Sequence, residues 1–109
     1  MYKGTFLNGK KWDITGYDIN NKVIYHIKNG KGYVKEFDIW YDSLEYEGEY
    51  INGEKIGKGK EYDYKGNLIF EGEYKNGKKW NGKLYEIDWE DKKLFKGEYI
   101  NGKLNKNGK

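Results

Sequence analysis

Apolar and polar residues alternate along the two arms that flank Asn52-Gly53. On the leading arm Tyr46, Gly48 and Tyr50 share one face, and Glu47, Glu49 and Ile51 share the other. The returning arm, KIGKGKEYDY from Lys55, alternates lysine with glycine and then ends in tyrosines. Asn-Gly between arms of period two predicts a β-hairpin, because both residues accept the positive φ of a type I′ turn. The pattern returns along the chain. Turns of this kind are predicted at Asn8-Gly9, Asn29-Gly30, Asn52-Gly53, Asn76-Gly77 and Asn101-Gly102, at spacings of 21, 23, 24 and 25 residues. An aromatic residue leads into each: Tyr2, Tyr25, Tyr46, Phe70 and Phe95. A period in this range marks a repeat array. The expectation is an all-β fold, an elongated, twisted antiparallel sheet of about five consecutive hairpins. It forms a single domain over 1–109, with units at 2–24, 25–45, 46–69, 70–94 and 95–109.

The glycines sharpen this picture. Gly4, Gly48, Gly72 and Gly97 each follow the leading aromatic of a unit by two residues. Glycine weakens a strand interior and is kept where a ring or another backbone approaches closely. Rings of one hairpin are therefore expected to lie across these glycines, so that stacked hairpins bury an aromatic ladder no single hairpin could bury. Glu47 and Glu49 are expected to face Lys58 and Lys60 across the strands. A second turn at Tyr64–Asn67 leads to the next unit, and Trp89–Lys93 takes that place in the fourth. Ten strands at about 4.8 Å spacing make a rod roughly 45 Å long. The short last unit acts as a cap, its Lys and Asn residues blunting the sheet edge.

Composition agrees with a thin aromatic core. Aromatics are 18% of the 109 residues, while hydrophobic residues overall are only 36%. Net charge is +3, and Lys103, Lys106 and Lys109 equal that excess, so the body is neutral. All basic residues are lysine. A neutral body without arginine speaks against nucleic-acid binding, which draws on basic faces and bidentate guanidinium contacts. The absence of cysteine excludes disulfides and thiolate metal sites. No apolar run approaches a membrane span, and the N-terminus enters patterned sequence directly, so a cytoplasmic protein is expected.

The order Tyr-x-Gly-x-Tyr, Asn-Gly, then Gly-x-Gly resembles the MORN repeat, in the looser bacterial variant seen in YwqK-like antitoxin proteins. The third unit carries Tyr46, Gly48, Tyr50, Gly53, Gly57 and Gly59. The fourth keeps Phe70, Gly72, Tyr74, Gly77 and Gly82, and the fifth Phe95, Gly97, Tyr99 and Gly102. The first keeps Tyr2, Gly4, Phe6, Gly9 and Gly16, whereas the second has lost the Tyr-x-Gly-x-Tyr arm. The resemblance implies a row of antiparallel hairpins and a role in scaffolding or partner recognition.

Catalytic material is sparse. The one histidine is His26, the one serine Ser43, and no nucleophile elbow surrounds the serine. Pairs such as Glu71/Glu73 recur as Glu47/Glu49 and read as solvated charges rather than an acid and base. The acidic run Asp88–Asp91 lacks an EF-hand frame and reads as a polar turn. No enzyme activity, metal or cofactor is expected. The tryptophans are the better lead. Trp12 and Trp80 both fall four residues after the turn asparagine, where the third unit has Ile56, which favours packing between hairpins. Trp40, Tyr41 and Trp89 sit in linkers rimmed by acids, a setting suited to recognition. The expected binding face is the concave aromatic surface with these three residues, and Trp12 and Trp80 complete the candidate set. The expected function is a protein-binding module, including inhibition of a toxin or defence enzyme. Pairing of copies through sheet edges, a lipid surface, and nucleic acid stacked on the aromatic face are the alternatives.

Overall fold

The computed structural model describes residues 1–38 and 43–106. Ten antiparallel strands follow one another in chain order. They are β1 (Tyr2–Leu7), β2 (Lys10–Tyr17), β3 (Val23–Ile27), β4 (Gly32–Phe37), β5 (Leu44–Ile51), β6 (Glu54–Tyr62), β7 (Leu68–Lys75), β8 (Lys78–Ile87), β9 (Lys93–Ile100) and β10 (Lys103–Asn105). Each of the five turns predicted above joins two of them. Asn8, Asn29, Asn52, Asn76 and Asn101 hold φ between 48° and 54°, and the glycine after each is also positive. The dipeptide is not sufficient for a turn, however. Asn81-Gly82 lies inside β8, paired across to Glu73 and Gly72.

The row of hairpins is divided once. β1–β2–β3 form a three-stranded sheet and β4 to β10 a seven-stranded one. Between β3 and β4 only a bridge from Lys28 to Lys31 remains. The division falls inside the second unit, the one that lost its aromatic-glycine arm. The residues on either side of it differ from those in the other units. Gly48, Gly59, Gly72 and Gly82 pair in a continuous row across β5, β6, β7 and β8. Toward the N-terminus Val34 stands opposite Gly48, and in the first sheet Ile14 stands between Gly4 and Ile27. Ile14, Ile27 and Val34 are all at least 98% buried and plug the junction.

Over the glycine row lies the aromatic ladder. Tyr50, Tyr46, Tyr74, Phe70 and Tyr99 follow one another edge to face, with centroids 6.1, 5.4, 5.5 and 5.8 Å apart. Each such contact adds about 0.5–1.5 kcal/mol beyond area burial. A Cβ at Gly59 would stand 2.8 Å from Tyr74 Cε1, so the rings occupy the space the missing side chains vacate. The molecule measures 41 × 31 × 18 Å, close to the expected rod length. No described helix is long and apolar enough to cross a membrane.

Candidate interaction surface

The solvent side of the ladder is closed by charges rather than open to a partner. Tyr50 donates its hydroxyl to Glu36 Oε1 at 2.8 Å, and Lys11 pairs with the other oxygen of that carboxylate. Tyr74 donates to Glu61, which Lys79 Nζ meets at 3.2 Å. The tyrosine–glutamate pair repeats, but the lysine comes from the same hairpin as the tyrosine in one case, Lys79, and from β2 in the other, Lys11. Lys55 Nζ lies 4.3 Å from the centre of the Tyr46 ring, and Lys79 covers Phe70 at 5.4 Å. Tyr46, Tyr50, Phe70 and Tyr74 are thereby buried. Burial and the nearby Glu36 carboxylate push the Tyr25 hydroxyl up to about 12, and burial likewise raises Tyr46, Tyr50 and Tyr74. Of the expected aromatic surface, the rings of Tyr46, Tyr50, Phe70 and Tyr74 are therefore part of the core.

The opposite sheet face is polar and alternates in sign. Lys35, Glu47, Lys60, Glu71, Lys83 and Glu98 stand opposite one another in succession across six strands. Glu47 does face Lys60, as its spacing suggested, but a bulge after Gly48 places Glu49 opposite Ile56. Lys58 faces Glu73 instead. A shallow groove of about 590 Å³ crosses this face, floored by Gly59 and Gly72 and rimmed by the glutamates and lysines.

Two ends remain. At one, the Asn-Gly turns stack. The glycine amide of each later turn donates to the hairpin before it: Gly30 to the Trp12 carbonyl at 2.9 Å, Gly53 to Gly30 at 2.8 Å, Gly77 to Lys55 at 3.1 Å and Gly102 to Trp80 at 2.8 Å. The indoles of Trp12 and Trp80 lie against Gly30 and Gly102, where an added Cβ would come within 3 Å. Both tryptophans are half-buried and do the inter-hairpin packing their shared position suggested.

At the other end, the three joining loops that are described in full share one design. Asp18, Asp63 and Asp88 each open a loop by accepting, through Oδ1, the amides two and four residues on, at 2.8–2.9 Å. The fourth residue of each loop is left-handed: Asn21, Gly66 and Asp91 have φ of 63°, 86° and 62°. Asp88 and Asp91 are thus turn residues, as expected of the acidic run. The residue after each aspartate is thrown outward. Ile19 is 73% exposed, Tyr64 56% and Trp89 90%. Lys65 of one loop meets Asp91 of the next at 3.4 Å, which ties these neighbours together. Trp40 and Tyr41 belong to the linker between β4 and β5 and lie outside the described residues. His26 stands 3.4 Å from Thr15 Oγ1 on the neighbouring strand.

Sequence reasoning found Trp89 but not Ile19 and Tyr64 as its equivalents. The signal was the aspartate that precedes each of them by one residue. Comparison with protein-family models, curated proteins and solved structures finds no match to this chain.

Proposed function

We propose that the chain is a non-catalytic, MORN-like repeat module that binds a protein partner, of the kind by which a small inhibitor or antitoxin-type protein holds a toxin or defence enzyme. The observation that carries this reading is the exposed Trp89, held on an aspartate-capped loop that Asp91 and Lys65 tie to the loop carrying Tyr64. Tryptophan and tyrosine dominate interface hot spots, and a ring presented on a fixed loop loses little entropy when it is covered. Tyr64 and Trp89, exposed on two neighbouring loops, are surface that a partner would remove from water. A protein partner is favoured over an anionic lipid surface or nucleic acid by the sheet face, where lysine and glutamate alternate and no one-signed patch forms.

The test is an affinity pull-down from the native host with the wild-type chain and with Trp89→Ala/Tyr64→Ala. The double variant touches no core residue, so its circular dichroism should match wild type while the specific partner is lost. A double variant that keeps every partner removes the loop edge as the binding surface. Sedimentation of the wild-type chain with anionic vesicles, or salt-sensitive retention on single-stranded nucleic acid, would replace a protein partner with one of the other classes.

A further inference from the structure

The stacked turns treat one asparagine differently from its equivalents. Asn-Gly is prone to intramolecular attack: the glycine nitrogen, as its amide anion, adds to the asparagine side-chain Cγ. The Cγ–NH2 bond breaks, ammonia leaves, and a cyclic imide forms. Water then opens the imide at either carbonyl, giving an aspartyl or isoaspartyl residue. The step consumes only water and needs an unengaged glycine amide that can move toward the side chain.

In four of the turns that amide is engaged. Gly30, Gly53, Gly77 and Gly102 each donate it to the preceding hairpin at 2.8–3.1 Å. A hydrogen bond to a carbonyl disfavours loss of the proton and holds the nitrogen in place. The turns of the second and fifth units are further fixed by Asp13, which accepts the Asn29 amide, and Asn81, which accepts that of Asn101. The first turn differs: among the described residues no hairpin stacks against it. Among the described residues Gly9 has no backbone partner, and a Cβ placed there would meet nothing within 4 Å. β1, which leads into this turn, is exposed along its whole length and so opens most readily.

We infer that Asn8 is a self-modification site, converted to an aspartyl or isoaspartyl residue in the folded protein while the four stacked turns are protected. The conversion lowers the net charge from +3 to +2. The isoaspartyl form also adds a backbone carbon in the turn, disrupting the β1–β2 register, so age would be written into the N-terminal edge of the molecule.

The chain contains its own control. Leu7-Asn8-Gly9-Lys10 and Ile100-Asn101-Gly102-Lys103 have nearly the same neighbours, so their chemistry differs only through the fold. The full chain is incubated at mildly alkaline pH and warm temperature, with folding followed by circular dichroism, and modified peptides are quantified by mass spectrometry. Asn8 should react at least about fivefold faster than Asn101, Asn29, Asn52 or Asn76 in the folded protein. In denaturant the Asn8 and Asn101 rates should converge. Asn81-Gly82, in β8, should react slowly with the stacked turns. Asn107-Gly108, outside the described residues, falls in a separate tryptic peptide and is scored apart. Asn8→Gln should remove the fast phase. Equal rates at Asn8 and Asn101 in the folded chain, or a ratio that persists in denaturant, overturns the inference.

Discussion

At the scale of single residues, the fold depends on what glycine omits. A Cβ at Gly72 would meet the Asn81 carbonyl and stand 2.5 Å from the Gly82 Cα, so the backbone of a neighbouring strand would have to move. Gly72→Ala should therefore cost about 2–3 kcal/mol in chemical denaturation. Gly66 is a glycine of another kind: its φ is +86°, and nothing lies within 4 Å of a Cβ there. Asn21 and Asp91 hold the same loop position without glycine. Gly66→Asn should accordingly change stability by less than about 0.5 kcal/mol. Tyr25, Tyr46, Tyr50 and Tyr74 carry a pH dependence. Burial disfavours the phenolate, so their folded pKa values lie above the ordinary 10.0, with Tyr25 pushed to about 12. The stability they contribute is fully present below pH 10 and is lost as pH rises toward and past 12. Phenolate absorbance should therefore rise cooperatively with loss of circular dichroism above pH 10; buried tyrosines ionising with the strand signal intact would contradict this.

Among elements, turns were the most legible in sequence and caps the least. A left-handed asparagine followed by glycine is a local requirement, readable from two letters and their flanks. Yet the same letters at Asn81-Gly82 form strand, because pairing with β7 on one side and β9 on the other overrides the local preference. The loops at Tyr64 and Trp89 were placed correctly, but the aspartate one residue earlier, which holds each loop through two amides, was not recognised. Asp63→Ala should destabilise the protein by about 1–2 kcal/mol and speed amide exchange at Lys65 and Asn67 ahead of the strands. The groups that close the ladder could not be read locally at all. Glu36 joins Tyr50 and Lys11, residues 14 and 25 positions away, and no spacing within one unit announces that meeting. The break between the sheets was half visible: the second unit lacks its glycine arm, but only the structure shows Ile14, Ile27 and Val34 buried together at the junction.

For the molecule as a whole, the ends and the middle differ. Tyr46 and Tyr50 are 2% and 6% exposed, whereas Tyr2 and Phe6, in the same places of the first unit, are 45% and 50% exposed. Phe95 is 51% exposed beside a β10 of only three residues. Native-state hydrogen exchange should be slowest in β5 to β8 and fastest in β1 and β10, in a graded series rather than one cooperative block. Uniform protection along the chain would contradict this.

The stacked turns also give the structure a direction. Each glycine amide reaches back to the hairpin before it, so the docking surface needed by any unit has already been synthesised when that unit emerges from the ribosome. Strand contacts run between neighbours in sequence, and low contact order favours rapid closure. A chain organised in this way can assemble in the order in which it is translated, each hairpin settling on a finished one while the next is still being made.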